Sequence, residues 1–429
     1  MTEFLHLLRR NHNYRSMWSG QVVSEIGDHF NNIAVFSLVM AHGNSGMVVT
    51  GVMLARAIPA MLIGPLAGVL LDRLDRKRVM IASDLIRALV ALGFILAINK
   101  SNNSLLYVLS ALLMLASPFF SSGRSAILPT IVDAADLHTA NSLTQTTQWT
   151  TLTIGAFLGG TTVMQFGFEW AFLFNALSFL FSAACIAKLR APGGSFRAQR
   201  SDLHETDVVR PWHEYKEGLR YLRSTPLLLA IALVGVGWAT GGGAAQILFS
   251  LFGEVVFKRG PAGIGMLWGA AGLGLLIGGA FAHWLGRRIG FCGYKLTVFV
   301  VYVLHGTSYT VFSQMKQFWA ALLFLGLSRA SVAVSGVLNF SQLLKHVSDE
   351  FRGRVFATME TMQWSVMMLS MMAAGIASQH YSPRLIGAVS GVLSAMTAVY
   401  WVWANWSGLL VEPPTAVAQS PEPVLAGER

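Results

Sequence analysis

The chain has 429 residues, of which 54% are hydrophobic and only 12% charged, with a mean hydropathy of +0.54; a soluble domain carries roughly 25% charged residues, so a fold of this composition could not cover its surface in water. The formal net charge is +10, but the basic residues sit in short clusters between apolar runs, which argues against a nucleic-acid partner and fits a membrane protein with basic loops. Two cysteines, Cys185 and Cys292, cannot supply a disulfide framework or a metal-ligand spacing, so no metal is expected.

The opening segment, Met1–Arg15, is polar and basic. The apolar stretch behind it carries Glu25 and Asp28 and no small-residue cleavage site, so no cleavable signal is expected. Twelve apolar runs then follow, near the roughly 20 residues that a helix needs to cross a hydrocarbon core about 30 Å thick. They fall at 17–40, 47–71, 78–98, 104–122, 142–165, 168–189, 226–250, 261–285, 293–313, 317–340, 355–380 and 384–406. The first six group as an N-terminal bundle, 1–190, and the last six as a C-terminal bundle, 226–408. Between them, 191–225 reads as a polar linker holding a short amphipathic helix near Trp212–Leu222, and 409–429 as a disordered tail. With the N-terminus inside, about 23 Lys and Arg fall in inside segments and about 5 outside. Both termini are therefore expected in the cytoplasm, with the chain in the cell's inner membrane.

A charge at mid-bilayer costs roughly 2.5–3.5 kcal/mol on insertion scales, so each one asks for a reason. Asp28 lies about 16 Å into the first span and Arg56 about 13 Å into the second, both near the midplane. Two readings are open: Asp28 takes up and releases a proton while Arg56 sets its affinity for the proton or contacts an anionic substrate, or the two form a static pair. Asp84 and Arg87 share a face of the third span near its inner end and are expected to act with the adjoining connector. Arg329 lies mid-way along the tenth span as a further buried charge partner. Glu360, about a turn into the eleventh, is a second candidate for proton coupling. Gln148 and Trp149 in the fifth span, and Gln363 and Trp364 in the eleventh, pair an amide with an aromatic ring, which suits either a cavity for a bulky amphipathic ligand or packing between helices.

Two stretches repeat at about half the chain length. Gly68-Val-Leu-Leu-Asp72-Arg-Leu-Asp-Arg76-Lys77 aligns with Gly279-Ala-Phe-Ala-His283-Trp-Leu-Gly-Arg287-Arg288. Thr144-Gln-Thr-Thr-Gln148-Trp149 aligns with Met359-Glu-Thr-Met-Gln363-Trp364. Each pair falls at the same span of its half, which supports two parallel six-helix repeats.

The connector after the second span, Gly68 to Val79, matches the loop motif G-x-L-x-D-R-x-x-R-[KR], and the chain on this ground resembles the major facilitator superfamily. Its flanks, Trp18-Ser-Gly20-Gln21, Ser83-Asp84-Leu-Ile-Arg87, Arg124-Ser-Ala-Ile-Leu-Pro129 and Arg352-Gly353-Arg354, are similar to the branch of macrolide-efflux proteins and enterobactin-type siderophore exporters. The fifth span departs from the drug/proton exchange motif of many exporters: Thr151 and Ala156 stand where that motif has Gly and Pro. The resemblance implies an all-α integral membrane protein with 12 transmembrane helices in two pseudo-symmetric bundles around a central cavity. It also implies a conformational latch in which Gly68, Asp72, Arg73, Arg76, Lys77, Asp84 and Arg87 meet Arg352 and Arg354 in one state of an alternating-access cycle.

The expected function is export of a small amphipathic compound, drug- or siderophore-like, in exchange for protons, by a monomer without cofactor or nucleotide. Gly241-Gly-Gly243 lacks the Lys-Ser/Thr of a phosphate loop, and no nucleophile–base set points to an enzyme. Import of a nutrient, lipid flipping and uncoupled facilitation stay open on the same fold.

Overall fold

The computed structural model describes residues 2–43, 45–99, 103–191, 194–197 and 211–413. Much of the linker and all of the tail beyond 413 lie outside the described residues. Fourteen α-helices follow in chain order: α1 (Thr2–Arg10), α2 (His12–His42), α3 (Gly46–Arg73), α4 (Arg76–Gly93), α5 (Ser104–Ile131), α6 (Leu137–Phe166), α7 (Phe168–Ala187), α8 (Pro211–Ser224), α9 (Pro226–Leu251), α10 (Gly260–Gly286), α11 (Phe291–Gln314), α12 (Phe318–His346), α13 (Asp349–Ala377) and α14 (Pro383–Trp406).

Their starts are written locally. Asn11, Ser45, Asp75 and Ser382 accept backbone N–H groups at the first turns of α2, α3, α4 and α14. Proline opens α9, α10 and α14, where its missing N–H costs nothing. Gly167, at φ 95°, turns the chain between α6 and α7 in a conformation that glycine adopts without steric cost.

Among the described residues, nine helices are long and apolar enough to cross a membrane. Three further long helices, α2, α6 and α13, fall short of that apolarity, and they carry Gln21, Glu25 and Asp28, then Thr144 to Thr151, then Glu360 and Gln363. The deficit marks the helices that face something polar. Helix ends differ from the sequence reading at several places, and two of the departures share one kind of reason. α5 runs on to Ile131, nine residues past the expected 122, through the polar stretch Ser121 to Ser125. α1 was not expected at all: it is short, and its apolar Leu7 is buried while Leu5, Arg9 and Arg10 are exposed. The linker helix appears as α8.

The apolar core has a telling shape. At the end holding the α2–α3 and α13–α14 turns, one continuous cluster joins both halves, from Phe36, Val39 and Phe172 to Phe249, Phe312 and Met371. At the opposite end it divides. Tyr14, Met80, Ile127 and Ile186 form a cluster in the first half, and Tyr294, Val298, Leu338 and Trp401 a separate one in the second. The apolar core is thus shared by the halves at one end and divided between them at the other.

The seam between α6 and α10 depends on glycine. A Cβ on Gly265 would lie 2.4 Å from the Ala156 carbonyl oxygen and 2.9 Å from the Gly160 Cα. Both obstacles are backbone, so neither can swing aside, and only small residues allow this approach. Gly265→Ala is therefore expected to destabilise the protein by about 1–3 kcal/mol through overpacking, read as a lower melting temperature of the purified protein. An unchanged melting temperature would mean that the seam slides to make room.

Candidate functional site

Largely on the first half, α2, α3, α5 and α6 line an open cavity of about 640 Å³, within the range of small-molecule sites. One stripe of α2 supplies Gln21, Glu25, Asp28 and Asn32, at spacings that keep them on one helical face. α3 adds Arg56, α4 adds Arg87, α5 adds Ser117, Ser121 and Arg124, and α6 adds Gln148 and Trp149. Pro118 sits inside α5 and also lines the cavity; it has no N–H to give the carbonyl one turn back, at Met114.

The charges on this wall are not equivalent. Glu25 is held on three sides: Gln21 Nε2 donates at 2.8 Å, Thr151 Oγ1 at 2.8 Å, and Arg124 Nη1 lies 3.6 Å away. Arg87 donates to the Asp84 carboxylate, and its guanidinium lies 4.5 Å from the Phe120 ring centre and 4.4 Å from that of Phe179. Asp28 and Arg56 face the same cavity within electrostatic reach of one another, yet among the described residues neither has a direct ion pair or a hydrogen bond. Arg56 Nη1 is buried with no hydrogen-bond partner. The anticipated contact between these two side chains is thus absent, although the shared location is present.

On the second half, α9, α11, α12 and α13 line a smaller cavity of about 340 Å³, with Trp238, Tyr302, Asn339, Glu360 and Gln363 on its walls. Gln363 packs over Gly235, where a Cβ would lie 2.0 Å from its Nε2. Glu360 also borders a gap of about 380 Å³ between α3 and α13, together with Ala57, Met61 and Trp364. The four residues of the amide–aromatic pairs are therefore spread over three places: Gln148 and Trp149 on the first wall, Gln363 on the second, Trp364 in the gap. Trp149 packs in addition on Gly279 of α10. Arg329 lines none of these spaces. Its guanidinium lies 5.2 Å from the Phe249 ring centre and 5.8 Å from that of Tyr309, so its neighbours are aromatic faces, and among the described residues it has no ion pair.

Among the described residues, the contacts seen for the residues of the expected latch are made within their own half or to the linker helix. Asp75 caps α4, and its carboxylate accepts the Phe196 N–H at 3.4 Å. Arg76 Nη1 donates to the Ala126 carbonyl, and Lys77 Nζ to those of Ala187 and Leu189 at 2.7 and 2.9 Å. These are carbonyls near the ends of helices in the same half, where a cation is favoured. Arg73 is exposed, Gly68 has open space around it, and the Asp72 side chain lies outside the described residues. Arg354 lies 3.2 Å from Glu217 of the linker helix α8, and Arg352 is on the same first turns of α13. Asp84 and Arg87 differ from expectation: their carboxylate and guanidinium are buried in the first half, deeper along α4 than the connector, and Arg87 belongs to the cavity wall.

Sequence reasoning missed the Glu25–Arg124 pair. Glu25 appeared only as an interruption of an apolar run and Arg124 only as a motif residue. The recurrence of polar residues at 21, 25, 28 and 32 was the signal that would have placed Glu25 in the cavity. Asn339, Tyr302 and Trp238 had no such signal, being single polar or aromatic residues on apolar helices.

The sequence matches the family described as Major Facilitator Superfamily over residues 17–370. It is similar to an uncharacterized MFS-type transporter, YfiS, of Bacillus subtilis (strain 168), 25% identical over 411 residues that cover 91% of this chain and 92% of that protein. It is also similar to macrolide efflux protein A of Streptococcus pyogenes, 25% identical over 381 residues that cover 87% and 90%. In three dimensions it resembles the nucleoside transporter NupG, with a TM-score of 0.71 at 9% identity over 92% of this chain and 99% of that one, a likeness of fold alone. With a family match across most of its length and a bundle of long apolar helices, the chain belongs to the major facilitator superfamily and is a multi-pass membrane transporter.

Proposed function

We propose that this transporter exports a small amphipathic compound from the cytoplasm by alternating access, in exchange for protons, with Asp28 as the coupling carboxylate and Glu360 as the second. All twelve long helices span the inner membrane in this reading, 1–190 and 226–408 form the two moving bundles, and both termini are cytoplasmic. The observation that carries it is the pairing state of the cavity wall: Glu25 and Asp84 are held by arginines, whereas Asp28 is open to the cavity. A carboxylate that must exchange a proton needs access and freedom from a permanent partner.

The divided core supports the cycle. The end that is parted here carries the basic connectors, so this state faces the cytoplasm under the positive-inside orientation. In the opposite state the connector after α3 would meet the start of α13, and Arg354 would leave Glu217 for that contact. Similarity to a protein named for macrolide efflux supports the outward direction.

The test is uptake of ethidium and a panel of macrolides into inside-out vesicles, with and without an imposed pH gradient. Accumulation that requires the gradient is expected. Accumulation that persists after an ionophore collapses the gradient would replace exchange by uncoupled facilitation, and uptake only into right-side-out vesicles would make the protein an importer.

A further inference from the structure

From the charge inventory of the first-half cavity we infer that the cargo is zwitterionic: it carries a cationic amine and a carboxylate on one short frame, as an amino-acid derivative or small peptide-like compound does. The inference rests on the transport reading above and names the substrate class of that same cavity.

Three carboxylates and three guanidiniums stand in or directly behind this wall: Glu25, Asp28 and Asp84 against Arg56, Arg87 and Arg124. Two pairs close among themselves, Arg87 with Asp84 and Arg124 with Glu25. One of each sign, Asp28 on α2 and Arg56 on α3, remains outside these direct pairs and faces a shared space without touching, with Arg87 also within electrostatic reach of Asp28. Arg56 Nη1 is buried and unpartnered, as is the side-chain oxygen of Asn32 on the same wall. Buried polar groups in a membrane interior are ordinarily satisfied, so these unpaired groups form a definite sign pattern. A purely cationic cargo would answer Asp28 and leave Arg56 unanswered. A purely anionic cargo would do the reverse. A molecule with both groups satisfies both residues, and a planar guanidinium is suited to grip a carboxylate through two parallel hydrogen bonds. His29 borders the same cavity and adds no fixed charge that would spoil this balance in its neutral form. Met114, Leu152, Leu275 and the Phe120 and Trp149 rings line the rest of the wall and accept the apolar body of the ligand. The second-half cavity is lined by amide and aromatic groups with Glu360 and, among the described residues, by no arginine.

The inference also explains how a proton could drive such a cargo. The amine and the proton compete for Asp28, so protonation from the far side displaces the amine and leaves the cargo held by Arg56 alone.

The experiment is equilibrium binding to the purified protein in detergent, with no gradient, followed by ligand-induced thermal stabilisation. The probes are phenylalanyl-phenylalanine, its methyl ester, its N-acetyl form, and the doubly blocked N-acetyl methyl ester. The free dipeptide is expected to bind about tenfold or more tightly than either singly blocked form. Arg56→Gln should erase the difference between the dipeptide and its ester, and Asp28→Asn the difference between the dipeptide and its N-acetyl form. Equal binding of all four probes, binding of the ester as tight as that of the dipeptide, or no binding of any at millimolar concentration would each overturn the inference. Because the readout is binding without transport, a failure of the export reading in vesicles and a failure of this inference are seen separately.

Discussion

Arg87→Ala is expected to cost about 3–5 kcal/mol of stability, the range for removing one partner of a buried ion pair. The reason is what stays behind. Asp84 is 0% exposed and Arg87 4%, and the guanidinium is sandwiched by the Phe120 and Phe179 rings. Truncating the arginine leaves a carboxylate with no counter-charge in the membrane interior and a void between two aromatic rings. The double variant Asp84→Asn with Arg87→Met removes both charges and refills the space, and is expected to recover at least half of the loss. Thermal unfolding of the two purified variants beside the wild type measures this. A single variant that melts with the wild type would show that water reaches Asp84 and screens it.

Asp28→Asn is expected to lower gradient-driven accumulation by about tenfold or more, equivalent to about 1.4 kcal/mol, and to make the residual transport indifferent to an imposed pH gradient. An amide keeps the size and hydrogen-bonding capacity of the side chain, so folding and membrane insertion should be unaffected. Arg56→Gln is the informative partner: it should slow transport while leaving the response to the gradient in place, since it removes an anchor for the cargo and not the group that takes up the proton. If Asp28→Asn kept the wild-type gradient response, coupling would move to Glu360, and Glu360→Gln would then be the variant to abolish it.

The helices were largely legible because their signal is redundant. Runs such as 226–250 and 261–285 are apolar on every face and recur in the structure as α9 and α10 within a residue or two. The exceptions follow from chemistry: α5 outran its hydropathy because Ser121 and Arg124 face a polar cavity rather than lipid. The site was legible only in part. Single charges in apolar runs pointed to Asp28, Arg56 and Arg87. Which charge pairs with which was not readable, because Glu25 and Arg124 lie 99 positions apart, and only the packing of α2 beside α5 and α6 brings them together. Depth misled in the case of Arg87. Proximity in sequence to the connector suggested the latch, but about three turns of helix suffice to carry a side chain from a loop to a cavity wall.

The sealed end and the parted end are held by different kinds of force. The seal is a continuous apolar cluster around Phe36, Phe249 and Trp268, whereas the latch proposed for the other end consists of ions. Apolar contact weakens on cooling, and ionic contact near an aqueous surface weakens as salt rises. Temperature and ionic strength thus act on opposite mouths of one transporter: cold loosens the state described here, and salt loosens its counterpart.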